Sequence, residues 1–69
     1  MHVPVGDFVT EVLDHKGEPI PGAIHIGTSL TVEQSQAPAI ANAYGANRWR
    51  IMRCVASSDE GERWDRKPG

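Results

Sequence analysis

The sequence predicts a small two-layer α+β domain, a ββαβ(β) arrangement in which a mostly antiparallel sheet carries one helix. Three observations predict it. Ile24, Ile26, Thr28, Leu30 and Val32 alternate with Ala23, His25, Gly27, Ser29, Thr31 and Glu33, the period-two pattern of a strand with one buried face. Ala37, Ile40, Ala41 and Tyr44 then fall at i, i+3, i+4 and i+7, one apolar stripe of a helix. Residues 48–56 return to strand chemistry. A chain of 69 residues holds one domain, here residues 1–66, with 67–69 as a frayed tail.

Residues 7–13 (Asp-Phe-Val-Thr-Glu-Val-Leu) open the fold as a β-branched and aromatic strand, apolar in part on both faces. Asp14-His15-Lys16-Gly17 reads as a turn, since Asp opens type I turns and Gly tolerates positive φ. Glu18-Pro19-Ile20-Pro21-Gly22 cannot be helix and reads as a stiff, exposed loop. After the strand over 23–33, in which Gly27 marks a bulge or bend, Ser35 is a natural N-cap. Pro38 then falls in the first turn and Gly45 at the C′ position. A competing reading starts the helix at Thr31 with Gln34 as a capping box, which breaks the alternation of the strand. In 48–56, Trp49 and Ile51 face one way and Arg48, Arg50 and Met52 the other. Alternation breaks at Met52 or Arg53, so a bulge or half-exposed edge is expected there. Ser57–Gly61 reads as a hairpin loop, and Glu62–Arg66 as a short last strand carrying Trp64.

Charge is divided unevenly along the chain. The net charge of −2 argues against a polycation that coats nucleic acid. Residues 1–47 carry five acids and one base, whereas residues 48–69 carry six bases and four acids. The single Cys54 excludes an internal disulfide framework. No apolar run approaches the roughly 18–20 residues that cross a bilayer, and no signal peptide is visible at the N-terminus. These features predict a protein of the reducing cytoplasm with no membrane association.

Four groups of residues are candidates for chemistry. Arg48, Arg50 and Arg53, uninterrupted by acids, would contact carboxylates of a protein partner or phosphates of a nucleic acid, with Trp49 available to stack on a base. A strand face whose arginine stems cover apolar surface explains the same residues. Trp64 reads either as the aromatic anchor of an interaction arm or as a lid on the open edge of a small core. His2, His15 and His25 occupy the terminus, a turn and the wet face of a strand, without metal-ligand spacing. Cys54 has Arg53 beside it, but no general base is placed by the sequence, and it reads as a packed strand residue. No catalytic constellation, metal site or glycine-rich phosphate loop is visible, so neither enzymatic activity nor a cofactor is expected.

Two resemblances carry further expectations. Val12-x-Asp14-x-x-Gly17-x-Pro19-Ile20-Pro21-Gly22-Ala23 resembles the opening strand–turn–strand of carboxypeptidase-regulatory-like β-sandwich domains. That family continues in strands, whereas Ser35–Gly45 reads here as helix. The layout over residues 24–64 is similar to small phage and mobile-element proteins, including some anti-CRISPR proteins. Its carriers are the strand at Leu30–Glu33, the Ala-rich helix Ala37–Gly45, the strand Arg48–Arg53 and Gly61-x-x-Trp64. The second resemblance implies a protein that inhibits a host defence complex by binding its subunits and masking surfaces that engage nucleic acid. It assigns no role to an individual residue. The expectation is therefore a binding protein that uses Arg48, Arg50, Arg53 and Trp64 on a protein partner. A small nucleic-acid-binding domain is the alternative, and pairing of exposed strand edges would allow a homo-oligomer.

Overall fold

A computed structural model describes residues 3–58 and 61–66. The element order is β1 (Phe8–Leu13), β2 (Pro19–Gly27), α1 (Leu30–Ala43), β3 (Arg48–Ser58) and β4 (Gly61–Asp65). All four strands lie in one antiparallel sheet, ordered β2-β1-β3-β4. The helix packs on one face, against β1, β3 and β2. The predicted α+β class and the fourth strand are both present. The expected tail at 67–69 and the loop residues 59–60 lie outside the described residues.

The first turn forms for the reason its sequence suggests. The Asp14 carboxylate accepts the Lys16 and Glu18 amides at 2.8 and 3.0 Å, and Gly17 N donates to Asp14 O. The Glu18 N–H is the largest influence holding the Asp14 pKa below the usual carboxylate value, and Lys16 N–H adds to it. Because that pKa is lowered in the folded state, the turn contributes stability at neutral pH and loses it as the carboxyl protonates in acid.

The chain after this turn departs from expectation. Pro19–Gly22 are not a loop but the irregular first part of β2, where Leu13 pairs with Pro19 and Glu11 with Ile24. β2 is the outer strand of the sheet, where prolines without an N–H leave no partner strand unsatisfied. The strand also stops at Gly27 instead of running to Glu33. Ser29, in extended geometry, caps a helix that starts at Leu30, with its Oγ accepting from Val32 N and its carbonyl from Glu33 N. The real cap thus precedes both predicted ones, and the Leu30–Glu33 strand invoked in the phage-protein resemblance is helix.

Pro38 consequently lies inside α1, not in its first turn. It is exposed, as is Gln34, whose carbonyl it leaves unpaired within the helix, so water can serve that oxygen. The buried stripe is Glu33, Ala37 and Ala41, with Ile40 half-buried. Tyr44, expected on the stripe, is the C-cap and 51% exposed. Gly45 does end the helix, at φ 71°. Its N–H bonds to Asn42 O and that of Ala46 to Ala41 O, the paired bonds of a Schellman motif.

Register assigns the faces. Phe8, Thr10 and Val12 share the helix side with Gly27 and His25 of β2 and with Arg53, Ile51 and Trp49 of β3. Val12, Ala23 and Ala41 form the core there, flanked by Ile20, Ile40 and Ala46. The alternation in β2 is therefore real but inverted. His25 faces the helix, and Ile24 and Ile26 face away from it, because small residues at 23 and 27 let the helix approach. Val3, Val9 and Cys54 make a second cluster on the other face, with Ile24 and Trp64 against it. The N-terminal segment is held there by Gly6 N to Cys54 O at 2.8 Å. Of the bulge or half-exposed edge expected at 52–53, the bulge occurs instead at Val55, between the pairs formed by Cys54 and Ala56, and the half-exposed edge begins where β4 ends opposite Arg53.

Candidate functional site

β3 has two different neighbours along its length. Residues 48–53 pair with β1, and residues 53–58 pair with β4. The first half of β3 therefore lies at the sheet margin, and the arginines sit on that half.

The three arginines do not form a single patch. Arg48 and Arg50 project on the face away from the helix, whereas Arg53 projects on the helix side. Arg48 and Arg53 are exposed. Arg50 Nε donates to Glu11 Oε1 at 2.6 Å, with side chains 35% and 18% exposed, so part of its charge is answered from the neighbouring strand. A half-exposed pair of this kind contributes on the order of 0.5–1 kcal/mol. The indole of Trp49 is 37% exposed, on the helix side between the two arginines of the opposite face.

Trp64 lies opposite Cys54 and packs, half-buried, against the Val3, Val9 and Cys54 cluster. It covers core at the β4 side of the sheet. With each tryptophan retained alone, in Trp64→Phe and Trp49→Phe variants, acrylamide should quench Trp49 emission with a steeper Stern–Volmer slope than Trp64 emission. Equal slopes would contradict this assignment.

A second cluster was not anticipated from sequence. Glu33, 1% exposed, reaches from α1 to the sheet, where Oε1 accepts Thr10 Oγ1 at 3.0 Å and lies 2.8 Å from His25 Nδ1. His25 remains 43% exposed. The sequence places His25 on the wet face of its strand; the structure instead turns it to the helix side, against Glu33. The carboxylate fixes the imidazole orientation, an arrangement shared by catalytic and purely structural histidines. Cys54 cannot complete it, because its Sγ is buried on the opposite face, donating to Val3 O at 3.5 Å and Ala56 O at 3.6 Å. No group of three or more His, Cys, Asp or Glu side chains among the described residues could hold a metal ion.

Neither the protein-family models, the curated proteins nor the solved structures include a match to this chain. Function must be argued from its own surfaces. An open groove of about 200 Å³ lies between the β1–β2 turn and the end of α1, lined by Leu13, Ile20, Tyr44 and Ala46 among others. Asp14, at its rim, already serves backbone amides. No helix among the described residues is long and apolar enough to cross a membrane.

The sequence signal for the Glu33 cluster is the spacing of Glu33, Ala37 and Ala41 at i, i+4 and i+8. A carboxylate on the small-residue stripe of a helix needs a polar partner beneath it. The signal for the Arg50–Glu11 pair is non-local and exists only once the β1–β3 register is known.

Proposed function

We propose that this chain is a non-enzymatic binding protein that works by occupying the surface of a protein partner. The observation that carries this reading is the margin of β3. Exposed Trp49 and Arg53 on the helix face, and exposed Arg48 with the partly free Arg50 on the other, line a strand whose inner side is fixed in the sheet. Arginine and tryptophan on a rigid element are the residue types that dominate protein interfaces. Trp64 packs against the Val3, Val9 and Cys54 cluster, which leaves Trp49 as the aromatic side chain of this margin. An inhibitor of a host defence complex, acting in the cytoplasm, is the biological role that the resemblance to anti-CRISPR proteins suggests.

The test compares wild type with Arg48→Glu/Arg53→Glu, which leaves the Arg50–Glu11 pair intact. A partner captured from nuclease-treated host lysate should be recovered by wild type and reduced at least tenfold by the variant at unchanged thermal stability. Equal recovery, or no partner at all, overturns the reading. The exposed indole among arginines also suits nucleic acid, and that alternative requires a mobility shift that falls steeply with salt.

A further inference from the structure

We propose that the margin of β3 binds its partner by strand addition, accepting an extended segment in which acidic and apolar residues alternate. This rests on the protein-binding reading above and specifies its partner.

Backbone N–H and C=O groups along β3 point alternately toward β1 and away from it. Cys54 N donates to Asp7 O and Cys54 O accepts from Gly6 N, so Cys54 points toward β1. Successive residues of a strand alternate, which turns Met52, Arg50 and Arg48 toward β1 as well. Arg53, Ile51 and Trp49 point the other way. Arg53 is met by Asp65, the last residue of β4. No strand among the described residues pairs with Trp49 or Ile51 on that side. Two N–H and two C=O groups therefore face outward in line with β4, ready to continue the ladder with a strand from another molecule.

Side chains bordering this edge define the occupant. Arg48 and Arg50 line it on one face, and Trp49 and Ile51 on the other. A second copy pairing antiparallel so that both outward residues are used sets Trp49 against Ile51 and Arg50 against its own symmetry mate. Like charges directly opposite are destabilising, which disfavours this dimer. An incoming strand with Glu or Asp across from Arg48 and Arg50 removes that repulsion. Val or Ile at the intervening positions would meet Trp49 and Ile51. The arginines that repel a second copy attract an acidic strand. The opposite margin, β2, begins with Pro19 and Pro21 and carries no arginine, so it offers neither the same donors nor the same charge.

The experiment titrates an acetylated, amidated Glu-Val-Glu-Val-Glu-Val peptide into the whole protein while following amide exchange by NMR. The Trp49 and Ile51 amides should exchange fast in the free protein and slow at least tenfold at saturation. The Arg48, Arg50 and Met52 amides, already bonded to β1, should change little. A Lys-Val repeat, an alternately N-methylated Glu-Val peptide and the Arg48→Glu variant should each lose the effect. Binding that survives N-methylation, or shifts confined to arginine side chains, overturns strand addition in favour of charge contact alone. Protection of Trp49 and Ile51 that grows with protein concentration without peptide overturns it in favour of a second copy. If a captured partner depends on Arg48 and Arg53 but protects neither amide, strand addition fails while the protein-binding reading stands.

Discussion

Gly27→Ala should destabilise the domain by about 2–4 kcal/mol, although alanine is an ordinary strand residue. A Cβ at position 27 would stand 2.9 Å from Glu33 Cδ and closer still to Oε2. An exposed glutamate would swing away at little cost. Glu33 is 1% exposed, and the same carboxylate holds Thr10 Oγ1 and His25 Nδ1. Moving it breaks charge-assisted hydrogen bonds in a dry site, and leaving it in place forces the helix off the sheet. At roughly 4–8 °C per kcal/mol for a domain of this size, the melting temperature should fall by about 8–32 °C. The cause can be isolated with Glu33→Ala, which removes the colliding atoms. In that background Gly27→Ala should cost less than about 1 kcal/mol, a large favourable coupling between the two sites. A penalty of equal size in both backgrounds would show that the collision is not its origin.

The parts of this fold that were legible in the sequence are those governed by local chemistry. Asp14 and Gly45 make the turn and the helix end that their side chains and backbone freedom dictate, and Phe8–Leu13 is a strand by composition. The choice of helix start is not local: the sequence points to Ser35 or, in the competing reading, to Thr31, and the actual cap, Ser29, is neither. Ser29 and Ser35 are equally good N-caps in isolation, and the β-branched Thr31 and Val32 favour a strand. Burial decides for Ser29, because only a helix that includes Glu33 can set a carboxylate over Thr10 and His25.

The same logic explains the inverted face of β2. Alternation identifies two faces but does not say which the helix covers. Hydropathy alone points to the more apolar face as the buried one, whereas a helix presenting Ala37 and Ala41 sits closest over small residues, here Ala23 and Gly27. Ile24 then joins the core on the other side, where Val3 is fully buried. Nothing near Val3 in sequence marks it as core; its neighbours Val9 and Cys54 come from two strands. For the candidate site, the sequence identified the basic strand but not its division between faces or the partial neutralisation of Arg50 by Glu11, 39 residues away. It also could not locate the backbone groups of Trp49 and Ile51 that no strand among the described residues pairs, which depend on where β4 ends.

The Glu33 cluster should behave as a polar network whose members are costly to remove singly and cheap to remove together. Glu33→Met, which keeps the side-chain bulk, should lower stability by about 1–3 kcal/mol, since it leaves the fully buried Thr10 hydroxyl without its acceptor. Thr10→Val should cost about 1–2 kcal/mol by the converse route, leaving a buried carboxylate with one partner fewer. Replacing both with apolar groups of similar shape, in Thr10→Val/Glu33→Met, removes donor and acceptor at once. His25, 43% exposed, can then turn to water. The double variant should lie within about 1 kcal/mol of wild type in urea unfolding, a loss well below the sum of the single losses. If the single losses simply add, Glu33 stabilises the fold through contacts other than Thr10, and the hydrogen bond is incidental. If the double variant also keeps wild-type capture of a partner, the cluster is confined to holding the helix on the sheet and takes no part in binding.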